Sequence, residues 1–92
     1  MRARIWRTFP LSRKAFDEES VIFNRASGST HLINPVADKI LSVLEQRPSS
    51  AQEISEQVSA EIKLDPDEEI IQRVELVLET LDRLGLVEPL PQ

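Results

Sequence analysis

Cysteine and tyrosine are absent, and histidine occurs once, in a chain of 92 residues. Without cysteine there are no disulfides, no thiolate nucleophile and no cysteine-ligated zinc. The single histidine, His31, could be a base or a ligand, but no second histidine or cysteine accompanies it. The only two glycines, Gly28 and Gly85, stand far apart, so there is no glycine-rich phosphate loop. No apolar run approaches the ~20 residues that a membrane span requires. The basic N-terminal stretch lacks the continuous apolar segment of a secretory signal. These absences point to one cytoplasmic domain over residues 1–92 that is not an enzyme, carries no cofactor or metal and has no membrane segment.

What remains is the composition of a soluble globular domain, 40% hydrophobic and 29% charged. Its charge is uneven. Arg2, Arg4, Arg7, Arg13 and Lys14 precede the first acid, Asp17, while the rest of the chain is strongly acidic and brings the net charge to −5. The basic head reads as a solvated edge strand and linker, or as a surface for docking on an acidic partner.

Up to Ile33 the apolar pattern alternates. Ile5 and Trp6 within RIWRT suggest a first strand, and Leu11 to Asp17 a connecting loop. Val21-Ile22-Phe23 and Thr30-His31-Leu32-Ile33 flank a loop rich in Asn, Ser and Gly, which reads as a β-hairpin. After Asn34 the period becomes helical. Asn34 is a good N-cap and Pro35 suits the first helical position, where no N–H is needed. Val36, Ile40, Val43 and Leu44 then share one face, and Pro48 ends the helix. A second helix starts at the capping box Ser50-Ala51-Gln52-Glu53, with Ala51, Ile54, Val58 and Ile62 as its stripe. A third starts at Asp65-Pro66-Asp67-Glu68, carries Ile70, Ile71, Val74, Val77, Leu78, Leu81 and Leu84, and stops at Gly85. Leu86-Val87 reads as a short extended tail. The order β-β-β-α-α-α gives an α+β, winged-helix-like domain: a three-stranded antiparallel sheet followed by three helices.

The acids Asp67-Glu68-Glu69 are accounted for by capping and by the helix dipole rather than by metal binding. A DNA-binding winged helix is the third functional reading. Its recognition helix would carry only Arg73 and Arg83 against six acids, which phosphates repel. Leu76 lies off the main stripe of the third helix, either as an ordinary exposed leucine or as the mark of a second contact surface. An unprotected third strand could pair its free backbone groups with an extended partner.

The residues Val21-Ile22-Phe23-Asn24, Ser27-Gly28, Thr30 to Pro35, Ala37-Asp38-Lys39-Ile40-Leu41, Ile54 with Val58, and Leu81 to Pro89 appear in an order and spacing that resembles the PqqD family of peptide chaperones. That family shares its fold with the RiPP recognition elements, which bind ribosomally made precursor peptides. The resemblance spans about residues 4–89 and is closest to the subgroup encoded beside an HPr-kinase-related protein. One departure is Glu45-Gln46-Arg47-Pro48, where many relatives carry Asp-Gly after the first helix. The resemblance implies a non-catalytic adaptor that binds a precursor (leader) peptide by β-strand addition and presents it to a modifying enzyme. Pairing would fall to Ser29, Thr30, His31, Leu32 and Ile33. Ile70, Arg73, Val74 and Val77 would line the groove, with some of them also serving the core. The alternative is a structural or regulatory subunit that forms a homodimer, or docks on a kinase-related enzyme, through the same edge.

Overall fold

A computed structural model describes residues 4–17, 19–61 and 67–91. Its elements are β1 (Ile5–Thr8), β2 (Leu11–Phe16), β3 (Glu19–Asn24), β4 (Ser29–Ile33), α1 (Pro35–Gln46), β5 (Ser49–Ser50), α2 (Ala51–Glu61), α3 (Glu68–Arg83) and β6 (Val87–Pro89). The architecture is α+β, with antiparallel sheets and three helices. The strands divide differently from the sequence expectation. Leu11 to Phe16, expected as a loop, is a strand, and the main sheet has the order β2-β3-β4. The segment expected as the first strand leaves that sheet and instead forms the centre of a second one, β5-β1-β6. The strand expected as the third is therefore β4.

The reason lies in a turn without glycine. Phe16 pairs with Glu19 across a two-residue connection, and Asp17 adopts φ 56°. Aspartate tolerates this left-handed conformation better than most residues, so a tight hairpin forms where no Asn-Gly or Asp-Gly announces it. Charge on β2 adds to the disguise. Arg13 shares a row with Ile22 and His31 on the sheet face that packs on the helices. It stays there because α1 supplies partners: Asp38 at 3.0 Å, Ser42 at 2.8 Å and Glu45. Other basic residues of the head are likewise engaged within the fold. Arg7 pairs with Glu88 and lies over the Phe9 ring, and Arg4 lies over the Trp6 ring.

The helices begin as their sequences dictate. Asn34 Oδ1 accepts from the Ala37 N–H at 2.8 Å, with Pro35 at the first helical position. At the start of α2, Ser50 Oγ accepts from the Glu53 N–H at 3.2 Å, while the Ser50 N–H donates to Glu53 Oε1 at 3.0 Å. For α3 the N-cap is Asp67, which accepts from the Ile70 N–H at 2.9 Å. Ile62, Asp65 and Pro66, expected as stripe, cap and first-turn residues, lie outside the described residues.

The C-terminus of α3 closes in a Schellman motif. The Leu86 N–H donates to Leu81 O and the Gly85 N–H to Asp82 O, both at 3.0 Å, with Gly85 at φ +80°. That turn buries Leu86 and sends Val87–Pro89 into register with Arg7 and its neighbours on β1. One core unites the layers: Trp6, Ile22, Ile40, Leu41, Ile54, Leu78, Leu81, Leu86 and Val87 are all buried. Among the described residues, no helix is long and apolar enough to cross a membrane.

Asn24 joins the β3–β4 turn to the end of α3. Its Oδ1 accepts from the Ala26 N–H at 2.9 Å, and its Nδ2 donates to Gly85 O at 2.8 Å. The side chain is almost fully buried. Asn24→Ala leaves those partners unsatisfied and is expected to lower unfolding free energy by about 1–3 kcal/mol. Asn24→Asp keeps the acceptor but loses the donor to Gly85, so it is expected to destabilise as well. Urea denaturation of the three proteins tests both expectations.

Glu53 provides a pH-dependent expectation. The Ser50 backbone N–H, then the Ser50 side chain, hold its carboxyl below the ordinary value of 4.5, with Arg47 adding a smaller electrostatic effect. A depressed folded-state pKa contributes stability that is complete above the unfolded value and is lost as pH falls through the folded one. The stability gap between the native protein and Glu53→Gln is thus expected to be constant near neutrality and to narrow below pH 4.5, in paired thermal melts.

Candidate functional site

Among the described residues both edges of the main sheet are open, since β2 and β4 each pair only with β3. They differ in chemistry. β2 carries Arg13 and Lys14 and follows Pro10, the usual means of discouraging strand addition. β4 reads Ser-Thr-His-Leu-Ile, with no Asp, Glu, Lys or Arg and no proline. Its register with β3, Asn24↔Ser29 through Ser20↔Ile33, is continuous and without a bulge. In an antiparallel ladder, alternate residues direct their N–H and C=O groups toward the partner strand. The others direct theirs outward, here to an unoccupied edge.

The side chains of β4 alternate as well. Ser29, His31 and Ile33 share the helix-facing side with Asn24, Ile22 and Ser20, whereas Thr30 and Leu32 lie on the outer face with Phe23 and Val21. Ile33 is buried and Leu32 is 61% exposed. His31 is half-buried. Its Nε2 is shielded from solvent without a hydrogen-bond partner among the described residues, and no carboxylate orients it as a base.

Next to the open edge lies a groove of 330 Å³. It is bordered by Leu32, Ile33 and Asn34 at the end of β4, by Ala37 of α1, by Leu76, Val77 and Thr80 of α3, and by Leu84, which caps that helix. The side chains that line it are mainly apolar, and Leu76 stands 63% exposed on its rim. Such exposure is unremarkable for one leucine. Leu76, Val77 and Leu84 bordering one concavity make a patch.

Of the α3 residues expected to line a groove, Val77 does so. Val74 is 6% exposed and belongs to the core. Ile70 is half-buried against the core and lies nearer the start of α3. Arg73 is exposed and pairs with Glu69 at 3.1 Å. The groove therefore sits beside the second half of α3, where Leu76, Thr80 and Leu84 join Val77 in lining it. The sequence signal for this part of the helix was Leu76, an apolar residue off the core stripe, followed by Thr80 one turn later on the same face.

The chain matches the model of the family described as coenzyme PQQ synthesis protein D (PqqD) over residues 19–87. That range holds the whole β2-partnered hairpin β3–β4, the three helices and the start of β6. Among curated proteins, no sequence matches. Among solved structures, the fold is similar to that of TbiB1 in complex with the TbiA(beta) leader peptide. The TM-score is 0.72, the identity 21%, and the match covers 94% of this chain and 99% of that one. With the family model covering three-quarters of its length, this chain belongs to the PqqD family.

Proposed function

We propose that this protein is a non-catalytic adaptor that captures an extended segment of a ribosomally made precursor peptide on β4 and presents it to a modifying enzyme. The observation that carries this reading is the bulge-free edge of β4, without Asp, Glu, Lys or Arg, lying directly beside the apolar groove. Backbone pairing supplies affinity that does not depend on sequence, and side chains entering the groove supply selection. TbiB1, similar in fold at 21% identity, is solved in complex with a leader peptide, which supports a peptide as the ligand. In this reading the peptide becomes a fourth strand of the β2-β3-β4 sheet. One set of its alternate side chains enters the groove against Leu76, Val77 and Leu84, and the other set extends the outer face beside Leu32. His31 contributes its backbone, as one of the pairing residues, rather than an acid–base group.

Hydrogen exchange followed by NMR tests the pairing. In the free protein, outward-facing amides of Ser29–Ile33 are expected to exchange far faster than those bonded to β3. A bound leader segment is expected to protect them and to shift signals of β4 and the second half of α3. Saturating peptide with β4 exchange unchanged would exclude strand addition. Proline substituted singly at Thr30, His31 and Leu32 samples N–H groups of both orientations. The substitution that removes an outward N–H is expected to cost affinity while circular dichroism remains native.

The groove is tested separately. Leu76→Asp changes an exposed position, so unfolding free energy is expected to stay within about 0.5 kcal/mol of the native protein. Its affinity for the same peptide is expected to drop roughly tenfold or more, from loss of apolar burial and introduction of a charge into the groove wall. Unchanged affinity in calorimetry would remove the groove from the binding site.

A further inference from the structure

The charges of α3 are sorted about the groove. On a helical wheel of ~100° per residue, Arg83 falls ~20° from Leu76, and Thr80 lies ~40° to the other side. Glu68, Glu75, Glu79 and Asp82 stand ~60–120° round, on the flank turned away from Val77 and Thr80. The one acid of α3 on the groove side, Glu69, is paired with Arg73. Arg83 is not so engaged. Its guanidinium reaches over the groove-lining Thr80, with Nη2 at 3.5 Å from Oγ1, and it has no carboxylate partner among the described residues. A cation in the last turn suits the helix dipole. The dipole does not account for its contact with Thr80 rather than with Glu79, which lies one turn earlier and only ~40° away on its other side.

The ends of the groove are thus chemically distinct. Asn24 binds Gly85 O, which holds the C-terminal end of α3 beside the Asn24–Ser29 end of the hairpin. Arg83 consequently lies toward the Ser29 end, and the aliphatic seat formed with Ile33 and Ala37 lies toward the other. Same-face residues of an added strand are ~7 Å apart, a distance that an arginine side chain over Thr80 spans.

We propose that the segment recognised is an acidic–apolar strand. It places an aliphatic or aromatic side chain in the groove and, two positions away on the same face toward Ser29, an aspartate or glutamate that Arg83 binds. This rests on the β4 pairing proposed above and adds the charge class of the peptide. In a protein of net charge −5, it makes Arg83 the residue that admits an anionic peptide to an otherwise acidic helix.

The test is selection of a phage-displayed library of random 12-residue peptides on the full chain and on Arg83→Glu, with Asp82→Asn as a control on the far flank. The native protein and the control are expected to enrich an apolar residue with Asp or Glu two positions away. Arg83→Glu is expected to keep the apolar preference and exchange the acid for Lys or Arg. Synthetic peptides from the native selection are expected to lose roughly fivefold in affinity when their acid becomes Asn or Gln, and to lose nothing further on Arg83→Gln. Enrichment of alternating apolar residues with no acid, or the same acid on Arg83→Glu, overturns the charge assignment and leaves strand capture standing. Failure to enrich any peptide that protects β4 amides overturns both. Arg83 is exposed, and Arg83→Gln provides the same reading should the charge reversal alter the thermal melt.

Discussion

One buried side chain sets the relation between sheet and helix on which the groove depends. Asn24 ends β3, shapes the turn into β4 through its Oδ1, and reaches across the core to the carbonyl of Gly85. The partner carbonyl belongs to the Schellman turn that ends α3. A single amide therefore couples the position of the open strand to the position of the helix forming the opposite wall. The same turn is fastened from the other side, because the Phe9 N–H and the Thr8 hydroxyl both donate to Leu86 O. The C-terminal end of α3 is consequently held by both sheets, beside the groove. A wall held in this way would lower the ordering cost of the proposed peptide capture.

The two edges of the main sheet differ in how they are protected against strand addition. β2 has a proline before it and two cations in it, and Arg13 spends its charge on α1. β4 has neither device. Its protection is brevity, with five residues between a turn and a helix cap. A short regular edge discourages indiscriminate pairing but accommodates one strand whose side chains also find the groove. On the proposed reading, affinity would rest on backbone bonds and selection on Leu76, Val77 and Leu84, so that one edge serves for both.

Much of this was legible before folding. Asn34-Pro35, Ser50 with Glu53, and Gly85 each announce a helix boundary by a local rule, and each boundary lies where that rule puts it. Strand β2 was not legible. Its turn uses Asp17 at positive φ instead of glycine, and its inward Arg13 is satisfied by residues of a helix some thirty positions later. The exile of Ile5–Thr8 to a second sheet follows from the same cause, because β2 occupies the place beside β3 that the first strand was expected to fill. At the groove, periodicity separated Leu76 from the core stripe but gave Val74 and Ile70 no mark to distinguish core from lining.

The sequence by itself determined the starts of α1 and α2 and the end of α3, the hairpin around Ser27-Gly28, the absence of Asp, Glu, Lys and Arg from Ser29 to Ile33 and the segregation of acids along α3, because each depends on spacings within one element. Only the tertiary structure decided which strands share a sheet, which edge stays open and which turn of α3 faces it. Those outcomes rest on contacts between residues distant in the chain: Arg13 with Asp38 and Glu45, Asn24 with Gly85, Thr8 with Leu86. No local periodicity encodes them.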